Sequence, residues 1–404
     1  MTTTIALLLG AGASKPLGIP TTDEMAKEFL QTTKNQKLKD IVDSVTTDPD
    51  IETVITIVRR IKELPKNEGL NLLNDTKVIS KFVNFSTEFA KTENELTKFI
   101  REKCLNPDQE KATENYLSLL KLGDVADVKI FTTNYDKAVE NVCNTERIEY
   151  SDGFKYSNID GFPILDPSSF EKGDIRIYKL HGSVDWWSDT TRRKVFRLNL
   201  ELEGVKNVNN LMIYPAQKDD VFNYPFNILQ SILIRTLHDV DEFIVIGHKF
   251  ADQNIVSAIK VVLEQRSDFK LTIVNPSATK IKKTIFENNV KVDAIDETVE
   301  SWLHNSIKKY RKICERKNAA IVAEEERLEK ETKDKIIGEY VSSRTPNTDF
   351  SSLAKDLDLF STPAVATDVI SIIDSKKCPT CQNEVKSVPT MVGFYCTNCQ
   401  KTFF

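Results

Sequence analysis

Ile5-Ala6-Leu7-Leu8-Leu9 is a short apolar run without polar alternation, the pattern of a strand buried on both faces of a parallel sheet. From about Thr22 to Lys121 the apolar spacing changes to three and four, as in Ile51, Val54, Ile55 and Val58 and again in Phe82, Phe85 and Phe89. That spacing predicts helices, interrupted at Pro49, Pro65 and Pro107. Short apolar runs then return at 128–131, 175–178, 211–214, 243–246 and 271–274, each followed by turn residues or a polar loop. The order predicts an α/β fold: a doubly wound, Rossmann-like parallel-sheet domain over residues 1–300 with a helical insertion at about 22–121. In such a domain the loops after the strands carry the ligand contacts.

Between Trp302 and Tyr340 roughly half the residues are charged and the apolar positions are sparse (Leu303, Ile307, Tyr310, Ile313, Ile321, Leu328, Ile336). This predicts a long charged helix at 301–340, either solvated and docked along a narrow seam or used for self-association. Residues 341–376 are rich in Ser, Thr, Asp and Pro and read as a linker, with one short element near Val365 to Ile373.

Of seven cysteines, Cys104, Cys143 and Cys314 are scattered, whereas Cys378, Cys381, Cys396 and Cys399 crowd the last 27 residues. Two C-x-x-C pairs separated by fourteen residues place four thiolates on two knuckles, the ligand set of a zinc ribbon over 377–404. Four thiolates leave no open coordination position, so the expected Zn2+ is structural. Gly393-Phe394-Tyr395 and Lys401 to Phe404 are the expected ribbon strands. The asymmetry suits a reducing compartment rather than a disulfide framework.

Composition narrows the class further. The 404 residues are 40% hydrophobic and 28% charged, and no uncharged apolar stretch approaches the roughly 18–20 residues that span a bilayer. The first apolar run passes into glycines without a basic leader, so a cytoplasmic rather than secreted protein is expected. A net charge of -5 provides no global basic field; direct nucleic-acid binding through a local patch stays open.

Gly10-Ala11-Gly12-Ala13-Ser14 directly follows the first strand, where small residues let backbone N–H groups approach a pyrophosphate at a helix N-terminus. The dinucleotide fingerprint is incomplete: Lys15 occupies the third glycine position, and no second strand with an acidic residue follows. Spacing alone leaves a nucleotide site and a ligand-free turn both open. Thr132-Thr133-Asn134-Tyr135-Asp136 and Leu180-His181-Gly182-Ser183 each follow a predicted strand. Taken singly, such residues are usually turn or cap chemistry; together they bring an amide, a carboxylate and an imidazole to one sheet edge. Trp186-Trp187 wall the pocket or pack the core, and Tyr214-Pro215 could line the same cleft. His238, His248 and His304 have no partner visible in sequence.

In order, Gly10 to Ser14 with Gly18-Ile19-Pro20, Thr133-Asn134-Tyr135-Asp136, Lys179-Leu180-His181-Gly182, Gly247 with Asp252, and Val274-Asn275-Pro276 resemble the sirtuin (silent information regulator) motif series across residues 5–276. The resemblance implies an NAD site. Gly10, Ala11, Gly12 and Ser14 would hold the pyrophosphate and ribose, with Thr133 beside them, and Asn134 and Asp136 would lie by the nicotinamide. His181 would match the catalytic histidine at the ribose hydroxyls, Gly247 would border the phosphates, and Asn275 with Pro276 would meet the adenosine ribose. Asp252, matched mainly in the bacterial sirtuin-like branch, would count among the cofactor contacts.

Departures from the series bear on activity. The deacylases continue Gly-Ile-Pro with Asp-Phe-Arg, but this chain has Thr21-Thr22-Asp23. No Cys lies between Cys143 and Cys314, where those enzymes carry a zinc module, and Lys249 replaces the expected Ser. The chain is instead similar to bacterial sirtuin-like effectors of anti-phage defence. That likeness implies an NAD glycohydrolase releasing nicotinamide and ADP-ribose, restrained until triggered. The insertion, the charged helix and the ribbon together suggest a homo-oligomer or docking onto a second protein, and the likeness implies, by analogy, a HerA-type ATPase partner. Asn134 would orient water or ribose, His181 would bond the ribose hydroxyls and act as general base, and Asp136 would position nicotinamide or serve the structure. An NAD-dependent protein deacylase and a non-catalytic NAD or ADP-ribose sensor are the alternatives.

Overall fold

The computed structural model describes residues 3–63, 76–171, 173–189, 191, 194–198, 208–212, 223–342, 386–387, 394–396 and 401–403. They fall into two units, 1–323 and 324–404.

In the first unit, β1 (Thr4–Leu9) leads into the single turn α1 (Ala11–Ser14). The helices α2 (Thr22–Thr32), α3 (Gln36–Val45), α4 (Ile51–Glu63), α5 (Thr76–Leu105) and α6 (Gln109–Leu120) follow. The starts of α2, α3 and α6 are capped by side chains that accept the first free N–H groups. Thr21 and Glu24 form a capping box on α2, Asn35 accepts from Leu38 N–H on α3, and Asp108 accepts from Lys111 N–H on α6. Then come β2 (Asp127–Thr132), α7 (Ala138–Glu146), β3 (Phe154–Ser157), β4 (Phe162–Leu165), β5 (Ile175–Lys179), β6 (Gly182–Asp189), β7 (Val195–Arg197) and β8 (Val208–Met212). The unit continues through α8 (Phe226–Asp239), β9 (Glu242–Ile246), α9 (Gln253–Gln265), β10 (Lys270–Val274), α10 (Ala278–Ile285) and β11 (Val292–Ile295) into α11 (Val299–Ser342), whose residues up to Ala323 belong to it.

Six strands form one parallel sheet in the order β11-β10-β9-β1-β2-β5. Counted along the chain within this sheet, that is the doubly wound order 3-2-1-4-5-6 read from the β5 edge, with the switch point between β1 and β9. Both faces are covered, which explains the unbroken apolar runs. Ala6 and Leu8 of β1 face a core shared with Leu229 of α8 and Ile255 and Ile259 of α9; Ile5, Leu7 and Leu9 face a core shared with Tyr116 of α6, Val142 of α7 and Trp302 of α11.

Three features depart from the sequence reading. Helix α6 belongs to the sheet: Ala112, Tyr116, Leu119 and Leu120 pack into the core beneath β1 and β2. The insertion with its own core is therefore α2 to α5, built around Met25, Phe29, Val54, Val58, Phe89 and Ile100. The run at 211–214 does not join the parallel sheet. Its described part, β8, pairs antiparallel with β6 in a second, five-stranded sheet of order β3-β4-β7-β6-β8, and β11 completes the parallel sheet instead. Trp186 and Trp187 lie in that second sheet as core residues, Trp186 edge-on to Phe154 and Trp187 donating to the Leu198 carbonyl at 3.2 Å.

Helix α11 docks by its first part only: Trp302, Leu303, Ile307 and Cys314 are buried and Tyr310 and Ile321 half-buried, whereas Ile313 and Leu328 of the expected seam are exposed. Asn318 closes the seam, donating to the Val125 carbonyl at 2.7 Å and accepting from the Thr3 N–H and hydroxyl. In the second unit, β12 (Lys386–Ser387), β13 (Phe394–Cys396) and β14 (Lys401–Phe403) form a three-stranded antiparallel sheet. Two of these strands fall where the ribbon strands were expected. The side chains of Cys378, Cys381, Cys396 and Cys399, the linker at 343–376 and Tyr214-Pro215 lie outside the described residues. Among the described residues, no helix is long and apolar enough to cross a membrane, and no group of three or more His, Cys, Asp or Glu is placed to hold a metal.

Candidate functional site

A cleft of about 750 Å³ opens at the carboxyl ends of β1 and β9, within the size range of small-molecule sites. Its floor is made where two glycine turns interlock. Gly10 N–H donates to the Ile246 carbonyl at 2.9 Å and Gly12 N–H to the Gly247 carbonyl at 2.8 Å. A Cβ on Gly10 would stand 2.5 Å from His248 Cα, and one on Gly247, whose φ is +65°, 2.5 Å from Ala13 N. These glycines therefore exist first to let the two switch-point turns touch. That differs from the pyrophosphate argument made on sequence, because the amides of Gly10, Gly12 and Ala13 all donate inside the protein. Gly10 itself is buried behind the floor; Ala11, Gly12 and Ser14 line the cleft. Tyr116 holds the turn from below, donating to the Ala13 carbonyl at 2.7 Å.

The loop after β2 carries Asn134 into this floor. Its Nδ2 donates to the Gly10 carbonyl at 2.9 Å and to Ser14 Oγ at 2.8 Å. Both amide hydrogens are thereby committed, and Oδ1 is the atom presented as an acceptor. Ser14 passes its own hydrogen to Asp136 Oδ2 at 2.7 Å, while Asp136 Oδ1 accepts from Ala138 N–H at 3.0 Å. With both oxygens taken, Asp136 is a positioning residue that fixes Ser14 and the start of α7. Lys179, at the end of β5, supports the loop from beneath: it donates to the Asp136 carbonyl and pairs with Glu140 at 3.2 Å, both fully buried. Burial pulls the ammonium down, but the charges of Glu140, Asp136 and Asp185 outweigh it and hold Lys179 above its ordinary value.

His181 follows β5, and its Nε2 meets Asp252 Oδ2 at 3.0 Å with both side chains buried. Asp252 Oδ1 accepts from Asn254 N–H at 2.8 Å and caps α9. Burial pushes the Asp252 carboxyl up, yet the hydrogen bond and charge of His181 bring it below its ordinary value, so it is ionised at neutral pH and can only accept. A hydrogen of the ring therefore sits on Nε2 in this bond, and in the neutral tautomer Nδ1 is the acceptor. Asp252 thus orients His181, which is a different use from the cofactor contact its motif position suggested.

His248 was left without a role in sequence, yet it follows Gly247 directly and lines the cleft. Its Nδ1 accepts from Phe250 N–H at 2.9 Å. Burial, with His181 nearby, pushes its pKa down to about 4 and keeps the ring neutral. Asn275 and Pro276 also reach the cleft, Asn275 donating to the His248 carbonyl at 3.4 Å, as does Thr133, whose N–H bonds the Leu9 carbonyl. Glu52, in the first turn of α4, was not expected; no motif marks it, and only the folding of the insertion brings it to the cleft.

Fold and site together define a doubly wound α/β domain with a ligand cleft at its topological switch point. Residues 128–295 match the SIR2-like domain family. Solved structures similar to the chain include a Sir2 homologue in complex with NAD, at 15% identity over 78% of this chain and 91% of that one, TM-score 0.45. Others are an ADP-ribose complex of a Sir2 homologue variant (13%, 77% and 93%, TM-score 0.42) and Sir2Tm bound to a propionylated peptide (14%, 76% and 92%, TM-score 0.39). No curated protein matches the chain.

Proposed function

We propose that the protein is an NAD glycohydrolase that cleaves the nicotinamide–ribose bond to give nicotinamide and ADP-ribose. One observation carries the reading: Asn134 and His181, from the loops after β2 and β5, meet in the switch-point cleft, with His181 aimed by a buried Asp252. Breaking this bond builds positive charge on the ribose and needs the sugar held and a water admitted, but no strong nucleophile. Asn134 Oδ1 can accept from water or a ribose hydroxyl, and His181 Nδ1 from a ribose hydroxyl. Gly12, Ser14 and Gly247 would border the diphosphate, and Asn275 the adenosine ribose. The match of residues 128–295 to the SIR2-like domain supports NAD as the ligand.

Its use, on this reading, is as a cytoplasmic defence effector that depletes NAD when triggered, as a homo-oligomer and with a HerA-type ATPase as partner. The supports are the likeness drawn on sequence and the exposed stretch of α11 at 322–332. The test is product analysis after incubation with NAD, with and without an acetylated peptide. Nicotinamide and ADP-ribose without peptide are expected. Turnover only with peptide would make the protein a deacylase, and NAD binding without turnover a sensor.

We further propose a structural zinc on Cys378, Cys381, Cys396 and Cys399. In support, β13 ends at Cys396 and pairs antiparallel with β14, which begins at Lys401, so in sequence the second C-x-x-C pair falls at the junction of two paired strands. Metal analysis should find one zinc per chain, lost in Cys396→Ser; stoichiometric zinc in that variant would refute the site.

A further inference from the structure

Five carboxylates line the cleft: Asp50, Glu52, Asp136, Asp252 and Glu300. Asp136 and Asp252 have both oxygens taken inside the protein. Asp50 caps α4 by accepting from Thr53 N–H at 2.6 Å, and Glu300 is exposed at the rim. Glu52 is half-buried, and among the described residues its carboxyl makes no hydrogen bond or ion pair. Its place is fixed from below, since Ile51 is buried in the insertion core and Asp50 caps the same turn.

We propose that Glu52 is the catalytic carboxylate of the cleft, taking the proton of the attacking water while His181 holds the ribose. This rests on the glycohydrolase reading. A cationic ribose is stabilised by an anion, which an imidazole does not supply and an uncommitted carboxylate does. In the step, the C1′–N bond breaks with its electron pair passing to the nicotinamide nitrogen, which neutralises the pyridinium. A water oxygen bonds C1′, and the water's proton passes to Glu52 and then to solvent. The charged and titratable groups that act on Glu52 are His181, Asp50, Asp252 and Lys249, all of which line the same cleft. Burial raises its pKa to about 7, with Asp50 and Asp252 pushing the same way and His181 and Lys249 opposing. That value suits a base working near neutrality.

The test compares full-length wild type, Glu52→Gln and Glu52→Asp in nicotinamide release against pH, with NAD binding followed by calorimetry. Wild-type activity should rise with pH through about 7. Glu52→Gln should bind NAD as before, lose at least ~100-fold in kcat and lose that pH limb. Glu52→Asp, which withdraws the charge by one methylene, should lose rate while keeping the limb. Wild-type kcat with the limb intact in Glu52→Gln, or full rate in Glu52→Asp, would overturn the role of Glu52 and leave the glycohydrolase standing. A wild type that binds NAD but releases no nicotinamide would overturn both.

Discussion

Replacing Asp252 by Asn removes a charge while keeping shape, and its effect can be worked out from two bonds. Asn retains an oxygen for the Asn254 N–H, so the cap on α9 survives. The atom facing His181 Nε2 becomes an amide nitrogen, which only donates. His181 must then accept at Nε2 and carry its proton on Nδ1, so the nitrogen that should accept from the ribose hydroxyl becomes a donor. The expected loss in kcat/KM is roughly 10²–10⁴-fold, or ~3–5 kcal/mol of transition-state stabilisation. Stability should change by less than ~1 kcal/mol because the cap is kept. Asp252→Ala loses the cap and strands the buried Nε2–H, and should cost roughly 2–4 kcal/mol. The acid limb supplies a third readout. Asp252 has a folded-state pKa below its unfolded value of about 3.9, so its stabilisation is present above that pH and is lost as pH falls through the folded value. Asp252→Asn should flatten that limb. Nicotinamide release and urea unfolding at several pH values measure all three. An Asp252→Asn protein with unchanged kcat/KM would refute the orienting role.

Two further substitutions test how the floor is held. Gly247→Ala places a Cβ at φ +65° within 2.5 Å of Ala13 N, so it should separate the two turns, cost more than the ~1–2 kcal/mol of a left-handed conformation alone and weaken NAD binding; a wild-type melting temperature and affinity would contradict the interlock. Lys179→Met leaves Glu140 buried without its partner and should cost ~3–5 kcal/mol in urea unfolding, whereas Lys179→Met with Glu140→Leu should recover much of it; equal stability of the single and double variants would exclude the pair as the cause.

The parallel sheet was legible because β1, β9 and β10 are buried on both faces and so appear as unbroken apolar runs. The antiparallel sheet was not. β7 has three residues, β3 four, and their pairing is set by contacts distant in sequence. Helical periodicity revealed α6 but not which core its apolar face would join, since Tyr116 packs under the glycine turn rather than into the insertion. In the cleft, Asn134 and His181 stood out as strand-end residues. Their supports, Lys179 and Asp252, lie in the motif series, but their use under the loop and behind His181 follows only from their burial and pairing. His248 could have been found from its place immediately after a strand-end glycine. Glu52 had no such signal, lying in a helix that reaches the cleft only through the packing of α2 to α5.

The most direct test of the account is nicotinamide release from NAD by the full-length protein, alone and with the proposed HerA-type ATPase partner, beside Asn134→Ala and His181→Ala. The account predicts release by the wild type and its loss in both variants, with native unfolding curves. No release by the wild type in either condition, or undiminished release by both variants, would contradict it.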